Sequence, residues 1–218
     1  MAPDKLRPGS TAAAALWQLG KTNANEWSNA LESYNDCLER VTKAQSKAQS
    51  NLSKQTFIED DNWKENELPK LLQTQSHITL KQLERLMIWK LRRGMFRPTL
   101  MGLIKRNESK RVIDITTSGF KCAKVDIGKG LDMLCELQGV GPATASAILS
   151  MYMPMEVPFM SDEAMDAVLG LPRLYTKSQF VKFQTDVLNK TEEMGSKWSP
   201  DLIEKSLWCA AMKCKYEE

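Results

Sequence analysis

The chain has 218 residues, of which 42% are hydrophobic and 26% charged, and its formal net charge is +3 at pH 7. This length suffices for one full domain core, or for one domain with an appendage, and the composition is ordinary for a globular protein. The absence of any run of about 18 apolar residues argues against a transmembrane helix. The start, Met1–Ser10, lacks the apolar core of a secretory signal. We therefore expect an intracellular protein, nuclear or cytoplasmic, with no membrane partner.

The number and spacing of the cysteines indicate a reducing compartment, and we expect no cofactor. The five cysteines are odd in number and widely scattered, which is more typical of reduced thiols than of a disulfide framework. Only Cys209 and Cys214 lie near the C-terminus, and two thiols alone would lack the ligands for a metal centre.

Apolar residues recur at helical spacing near the N-terminus, where Trp27, Leu31 and Leu38 predict an amphipathic helix over 24–45. The polar stretch Lys43–Lys54 then either extends this helix into solvent or forms a flexible link. We expect residues 1–60 to be a helical, partly flexible segment that can hold a protein partner, and residues 61–218 to be the main domain.

The rest of the chain also favours helices, because the apolar and polar alternation of strands is nearly absent. Thr79 is predicted to cap a helix that Gly94 ends, and a turn is expected around Gly119. Two prolines, Pro154 and Pro158, predict that Met151–Pro158 is an extended linker before the next helix. The fold class is therefore all-α, a compact array of short helices. The helices are predicted near 80–93, 98–104, 108–117, 125–137, 162–169, 176–194 and 200–213, with a further one that Pro142 opens.

Positive charge is concentrated in one part of this array. Between Lys81 and Arg111 lie ten Lys and Arg residues against two Glu, a local charge of +8 that leaves −5 for the remainder. Such a block is a plausible electrostatic footprint for a polyanion. The alternative is that these side chains are the solvated faces of two amphipathic helices. Arg92, Arg93 and Arg97 surround the break at Gly94, where they are expected to reach phosphates.

Residues 134–145, Leu-Cys-Glu-Leu-Gln-Gly-Val-Gly-Pro-Ala-Thr-Ala, predict a tight hairpin between two helices. Gly139 and Gly141 lack Cβ atoms and so permit a positive φ and the close approach of another backbone. Pro142 suits the first turn of a helix, where its missing N–H would have had no partner. The free N–H groups of such a bend can bind a phosphate. The alternatives are a hairpin that only packs two helices or one that binds a protein.

This pattern resembles the helix-hairpin-helix motif. Asp162 stands seventeen residues past Ala145, at the start of a predicted helix. That distance is similar to the placement of the catalytic aspartate in the helix-hairpin-helix DNA glycosylase superfamily, which includes the endonuclease III, 8-oxoguanine and alkylpurine glycosylases. The segment Trp198–Trp208 resembles the closing helix of the alkylpurine branch, and the resemblance covers roughly residues 70–213.

The resemblance implies a DNA-glycosylase-like fold whose hairpin holds one strand of double-stranded DNA. Main-chain amides would bind one or two phosphates, and hairpin carbonyls, here those of Leu137 and Val140, would hold a monovalent cation. The implied DNA contacts are Gln138, Gly139, Gly141, Ala143 and Thr144.

For Asp162 the resemblance implies a catalytic role. The carboxylate would face the sugar of a flipped nucleotide and stabilise positive charge as the glycosidic bond breaks, or help to deprotonate a water. A simpler interpretation is that Ser161 or Asp162 caps the following helix, and both can hold at once. Aromatic side chains that could stack on the extruded base are Trp89, Phe96, Tyr152 and Phe159.

Two departures from the family pattern limit the expected chemistry. Bifunctional members carry a Schiff-base lysine two residues after the second hairpin glycine, where this chain has Ala143, so no β-lyase activity is expected. Some relatives bind an iron–sulfur cluster through four cysteines near the C-terminus, and this chain has too few there. We expect a monofunctional N-glycosylase of base-excision repair that acts on a damaged or modified base, or a member that kept DNA binding and lost catalysis.

Overall fold

The computed structural model describes residues 8–170 and 172–216. All regular secondary structure in those ranges is helical, with no strand. This confirms the all-α prediction. Residues 1–7, which carry most of the expectation about a secretory signal, lie outside the described part. The α-helices are α1 (Pro8–Trp17), α2 (Ala24–Glu32), α3 (Tyr34–Lys43), α4 (Lys47–Ser50), α5 (Phe57–Asn66), α6 (Leu68–Gln75), α7 (Leu80–Arg93), α8 (Thr99–Ile104), α9 (Ser109–Ala123), α10 (Ile127–Leu134), α11 (Pro142–Tyr152), α12 (Asp162–Leu169), α13 (Lys177–Met194) and α14 (Pro200–Tyr216).

Helix ends with a local signal lie where the sequence predicts them. The hydroxyl of Thr79 accepts a hydrogen bond from the backbone N–H of Gln82 at 3.3 Å, and the Gln82 side chain accepts one from the Thr79 N–H at 2.8 Å. This reciprocal arrangement is a capping box, which satisfies two otherwise unpaired donors of the first turn. α7 then ends before Gly94, as predicted.

Helix interiors that contain a glycine were predicted less well. The expected turn around Gly119 is wrong, because α9 continues through it to Ala123. A Cβ at Gly119 would lie 3.0 Å from the Leu134 side chain, and one at Gly130 would lie 2.5 Å from the Cβ of Ala123. These glycines therefore let α9 and α10 pack closely. The predicted helix over 24–45 is also interrupted, since α2 ends before Ser33.

Contacts divide the chain into two compact units. One unit, here called the hairpin unit, is Thr42–Met153, and the other, the terminal unit, combines residues up to Val41 with those from Pro154 onward. The predicted boundary at residue 60 is therefore not where the chain divides. α1 packs on α12 and α14, and a Cβ at Gly9 would lie 2.6 Å from the Ala211 carbonyl oxygen. Periodicity identifies the apolar face of a helix but not the helix it packs against.

The core of the terminal unit is rich in aromatic side chains. The rings of Trp17 and Trp198 both meet Trp27 edge-on, with centroids 6.4 and 6.0 Å from it, a favourable arrangement for aromatic pairs. Phe180 and Phe183 of α13 are fully buried.

The hairpin unit has α11 at its centre. All residues from Ala143 to Tyr152 are buried, and α11 contacts α6, α7 and α10. The same unit contains the antiparallel pair α9 and α10, which a short turn at residues 124–126 connects. Because α10 leads into the hairpin and α11 leads out of it, the core fixes both arms of the bend.

No helix in the described ranges is both long enough and apolar enough to cross a membrane.

Candidate nucleic-acid interface

The predicted hairpin is present between α10 and α11. Gly139 has φ +79°, in the left-handed region that glycine adopts without strain. Gly141 is extended, with φ −105° and ψ −178°, and is solvent-exposed. Within residues 8–170 and 172–216, no acceptor takes a hydrogen bond from the amides of Gly139, Gly141 or Ala143. Gly141 is exposed and Gly139 half-exposed, so their amides are available to a ligand, whereas Ala143 is buried at the start of α11 and its amide is only unpaired.

Other hairpin groups are already used. The Thr144 amide donates to the Gly141 carbonyl at 2.9 Å, so the expectation that this amide binds a phosphate is corrected. The Val140 amide donates to the Leu137 carbonyl at 3.1 Å. A carbonyl oxygen has two lone pairs, so the Leu137 and Val140 carbonyls remain compatible with a monovalent cation.

Asn107, which no sequence pattern singled out, holds the hairpin at Gln138. Its Oδ1 accepts from the Gln138 N–H and its Nδ2 donates to the Gln138 carbonyl, both at 2.9 Å. The Asn107 residue is only 5% exposed. The Gln138 backbone groups are thus bound within the protein, and only its exposed side chain could contact DNA.

Two helix N-termini adjoin this bend. α11 begins at Pro142, directly after Gly141, and α9 begins at Ser109, two residues after Asn107. Each helix N-terminus carries roughly half a positive charge from its aligned peptide dipoles. The side chains of Lys105, Arg106 and Lys110 are exposed in the same segment. We call these three side chains, with the amides of Gly139, Gly141 and Ala143, the hairpin surface.

Arg92 does not belong to an exposed basic face. Its side chain is 1% exposed and pairs with Asp60 at 2.8 Å. The expectation that Arg92 reaches a phosphate is therefore wrong, because its guanidinium is buried and bonded to acceptors inside the protein. Besides Asp60 it donates to the carbonyls of Gln49, Ser50, Ser53 and Gln55.

The expectation that Arg93 reaches a phosphate is also wrong, because this side chain is buried as well. It is 4% exposed, and its guanidinium carbon lies 5.5 Å from the centre of the Trp89 ring. The Trp89 indole donates to Asp61 at 2.8 Å, and burial raises the pKa of the Asp61 carboxyl. Only Arg97 of the predicted arginines is exposed.

Burial also excludes most of the aromatic side chains that were candidates for stacking on a base. Trp89 is 1% exposed, and Phe159 is 6% exposed. Tyr152 lies stacked on Phe120 with centroids 4.1 Å apart, which makes it a core residue. Phe96 is the member of the predicted set that remains half-exposed.

Asp162 is the first residue of α12, and the cap before it is Ser161. The Ser161 hydroxyl accepts from the Ala164 amide at 3.4 Å and donates to the Glu204 carboxylate. Of the two residues considered for the cap, Ser161 therefore fills that role. The Asp162 side chain makes other contacts instead.

Those contacts occupy both oxygens of Asp162. The Tyr175 hydroxyl donates to Oδ1 at 2.6 Å, and Nη1 of Arg173 lies 3.2 Å from Oδ2. Arg173 also pairs with Asp166 at 3.0 Å. Tyr175 has φ +48°, an uncommon conformation for a bulky residue. With its side chain 14% exposed, Asp162 is held by these two partners and is not open to a sugar in this conformation.

No local sequence pattern indicated Asn107, Arg173 or Tyr175. Each acts through a partner that lies 11 to 31 positions away in the chain. The hairpin itself was detectable because its glycines, its proline and its flanking apolar residues are all local. Asp162 belongs to the terminal unit, whereas the hairpin surface belongs to the hairpin unit.

Comparison of the chain with protein-family models, with curated proteins and with solved structures finds no match in any of the three. Among the described residues, no group of three or more His, Cys, Asp or Glu side chains is arranged to hold a metal ion.

Proposed function

We propose that the hairpin surface binds the sugar–phosphate backbone of double-stranded DNA, and that the protein is a DNA-binding protein of the base-excision repair type. The observation that carries this proposal is the set of three amides, those of Gly139, Gly141 and Ala143, that no described residue accepts from. Unpaired amides at a helix N-terminus are a favourable site for a phosphate group. The resemblance of the hairpin to helix-hairpin-helix proteins supports DNA as the source of that phosphate.

The distribution of charge between the two units supports the same ligand. Thr42–Met153 contains 18 Lys and Arg against 11 Asp and Glu, a net +7, so the rest of a chain of net +3 carries −4. A polyanion is attracted to the more positive part of a protein. The hairpin surface lies in that part.

Contacts of this kind bind DNA without reading its sequence. Amides and lysine or arginine side chains that meet phosphates fix the position of a protein on the duplex but carry no base information. We expect an affinity that depends weakly on sequence and falls steeply as salt is raised.

A methyl group added at Gly141 provides the test. A Cβ there would meet no atom within 4 Å, so Gly141→Ala should fold normally and yet cover the approach to the neighbouring amides. Gly102→Ala is the matched control, because a Cβ at this exposed glycine of α8 also enters open space. Fluorescence anisotropy with a labelled duplex at low salt should show weaker binding, by about tenfold or 1.4 kcal/mol, only for Gly141→Ala.

Equal binding by wild type and Gly141→Ala would exclude the hairpin as the site. If wild type binds no duplex at low salt, the DNA proposal fails. A protein partner held by the hairpin or by the N-terminal segment would then take its place.

A second candidate function is monofunctional N-glycosylase activity at Asp162. The observation in its favour is that Arg173 and Tyr175 fix the orientation of this carboxylate, and a fixed negative charge can stabilise an oxocarbenium-like state. Against it, both carboxylate oxygens are occupied. Activity would therefore require Arg173 or Tyr175 to move away from the carboxylate.

Incubation with duplexes that carry a panel of base lesions, followed by alkali, tests this activity. Strand cleavage by wild type but not by Asp162→Asn would support the glycosylase. Because Ala143 stands where a lyase would have its lysine, no cleavage is expected without alkali. Equal cleavage by both proteins would remove Asp162 from the mechanism.

A further inference from the structure

We infer that Asn107 is a positioning residue for the hairpin surface, which aims the Gly139 amide at the phosphate. The functional part of this inference rests on the proposed DNA binding. The structural part, that Asn107 sets the direction of the Gly139 amide, stands on the hairpin geometry alone.

The Asn107 side chain binds both backbone groups of one residue. Its Oδ1 accepts from the Gln138 N–H and its Nδ2 donates to the Gln138 carbonyl, at 2.9 Å each. The same Nδ2 donates to the Ile104 carbonyl at 2.9 Å, which ties Asn107 to the end of α8. Only one orientation of the amide places the donor on the two carbonyls and the acceptor on the N–H.

Peptide planarity turns this clamp into a constraint on Gly139. The Gln138 carbonyl and the Gly139 N–H belong to one trans peptide group, in which they point in opposite directions. When Asn107 draws the carbonyl inward, the Gly139 N–H must point away from Asn107. This is why the Gly139 amide finds no acceptor among the described residues.

The other side of the bend is fixed by packing. A Cβ at Gly139 would lie 3.0 Å from the Cβ of Leu103 and 3.2 Å from the Ile104 side chain, so α8 supports the bend directly beneath this residue. Asn107 follows Ile104 by three residues and closes the contact between α8 and the hairpin. The amide direction thus depends on the Asn107 hydrogen bonds on one side of the bend and on this packing on the other.

Asparagine is specifically suited to this position. It offers a donor and an acceptor from one planar group, whereas an ionised aspartate of the same shape only accepts. In Asn107→Asp the carboxylate would face the Gln138 and Ile104 carbonyl oxygens. Burial raises the pKa of a carboxyl group, and the protonated form regains a donor.

The experiment uses the full chain with Asn107→Asp and with Asn62→Asp as the control. Asn62 is exposed on α5, so the control makes the same charge change outside the clamp. The amide NMR resonance of Gly139 reports hairpin geometry, and anisotropy with a labelled duplex reports affinity. At pH 7 only Asn107→Asp should shift the Gly139 resonance and bind DNA about tenfold more weakly than the control, a 1.4 kcal/mol difference.

At a pH low enough to protonate the buried carboxyl, the Gly139 resonance of Asn107→Asp should return toward that of wild type and its affinity toward that of Asn62→Asp. A loss of general stability would not produce this recovery. Asn107→Ser removes both bonds without adding a charge, and it should shift the resonance at both pH values. This second variant decides the question if Asn107→Asp does not fold at pH 7.

An unshifted Gly139 resonance in Asn107→Asp or Asn107→Ser would overturn the structural inference. A shifted resonance with unchanged affinity would overturn its functional part. If wild type binds no duplex, the proposed function fails, and the resonance still decides whether Asn107 positions the hairpin.

Discussion

At the scale of single residues, the two hairpin glycines have different roles. Gly139 needs its positive φ of +79° and has no room for a Cβ, whereas Gly141 has an ordinary φ and open space around it. Gly139→Ala is therefore expected to lower the free energy of unfolding by about 1–3 kcal/mol, the usual range for a strained non-glycine residue. Gly141→Ala should change the free energy of unfolding by less than about 0.5 kcal/mol.

Urea denaturation of both variants checks this prediction. Similar losses in the two proteins would show that Gly141 is also required for the fold, and the interpretation of its exposed amide as a ligand site would weaken. No loss in Gly139→Ala would contradict the strain argument.

Residue-scale features were predictable where the signal was local. Gly139 and Pro142 predict a bend before a helix, and Ser161 predicts a helix start. Arg92 shows the opposite case, because its charge suggested a surface position while Asp60, 32 positions earlier, draws it into the core. A buried ion pair cannot be recognised from either partner alone.

At the scale of elements, helix ends that a cap or breaker marks were predicted best, whereas the C-terminal ends predicted for α9 and α10 miss by six and three residues. The bounds of α12 and α13 lie within one residue of those expected, because caps and breakers act on neighbouring residues. The turn predicted at Gly119 is wrong because this position needs glycine for close packing against a neighbouring helix. That helix is visible only in the folded chain.

The contact of α9 with α10 gives an element-scale prediction. A Cβ at Gly130 would lie 2.5 Å from the Cβ, 2.7 Å from the Cα and 2.8 Å from the backbone nitrogen of Ala123. Gly130→Ala must therefore push the two helices apart, at an expected 1–3 kcal/mol, roughly the usual range for overpacking. Thermal unfolding by circular dichroism should show a lower midpoint.

Ala123→Gly in the Gly130→Ala background should restore only part of the loss. It removes the nearest atom, but the backbone atoms of residue 123 remain within 3 Å of the new methyl group. Full restoration would mean that side-chain contact alone sets the helix spacing. An unchanged midpoint in Gly130→Ala would contradict the close packing.

The start of α5 predicts a dependence on pH. The Glu59 carboxylate accepts from the Thr56 N–H at 2.6 Å, and the hydrogen bonds from the Thr56 backbone and side chain lower the pKa of Glu59 below its usual 4.5. A lowered pKa means that this contribution to stability is complete above pH 4.5 and is lost as the pH falls through the folded-state value.

Thermal midpoints of wild type and Glu59→Gln across this acid range test the prediction. Wild type should lose more stability on acidification than Glu59→Gln, because glutamine keeps the capping box without titrating. The capping box of α7 already uses Gln82 in this way. Parallel curves for the two proteins would contradict the assignment.

At the scale of the whole molecule, the net charge of +3 hides an uneven distribution. The sequence revealed a basic block between Lys81 and Arg111, yet folding buries some of its members and leaves others beside the hairpin. Composition and spacing thus located the positive part of the chain. They could not say which cations face solvent, since that depends on partners distant in sequence.

Salt dependence separates local contacts from this overall charge. Arg106→Ala with Lys110→Ala removes two cations of the hairpin surface, whereas Lys121→Ala with Lys124→Ala removes two exposed cations from the far end of α9. Each phosphate contact contributes about −0.9 to the slope of log affinity against log salt. The first double variant should therefore make the slope shallower by about 2 units, while the control keeps the wild-type slope. Anisotropy titrations of a labelled duplex at several salt concentrations measure these slopes. Because both double variants change the net charge equally, equal slopes would show that the overall charge of the chain, and not the surface around the hairpin, determines the affinity.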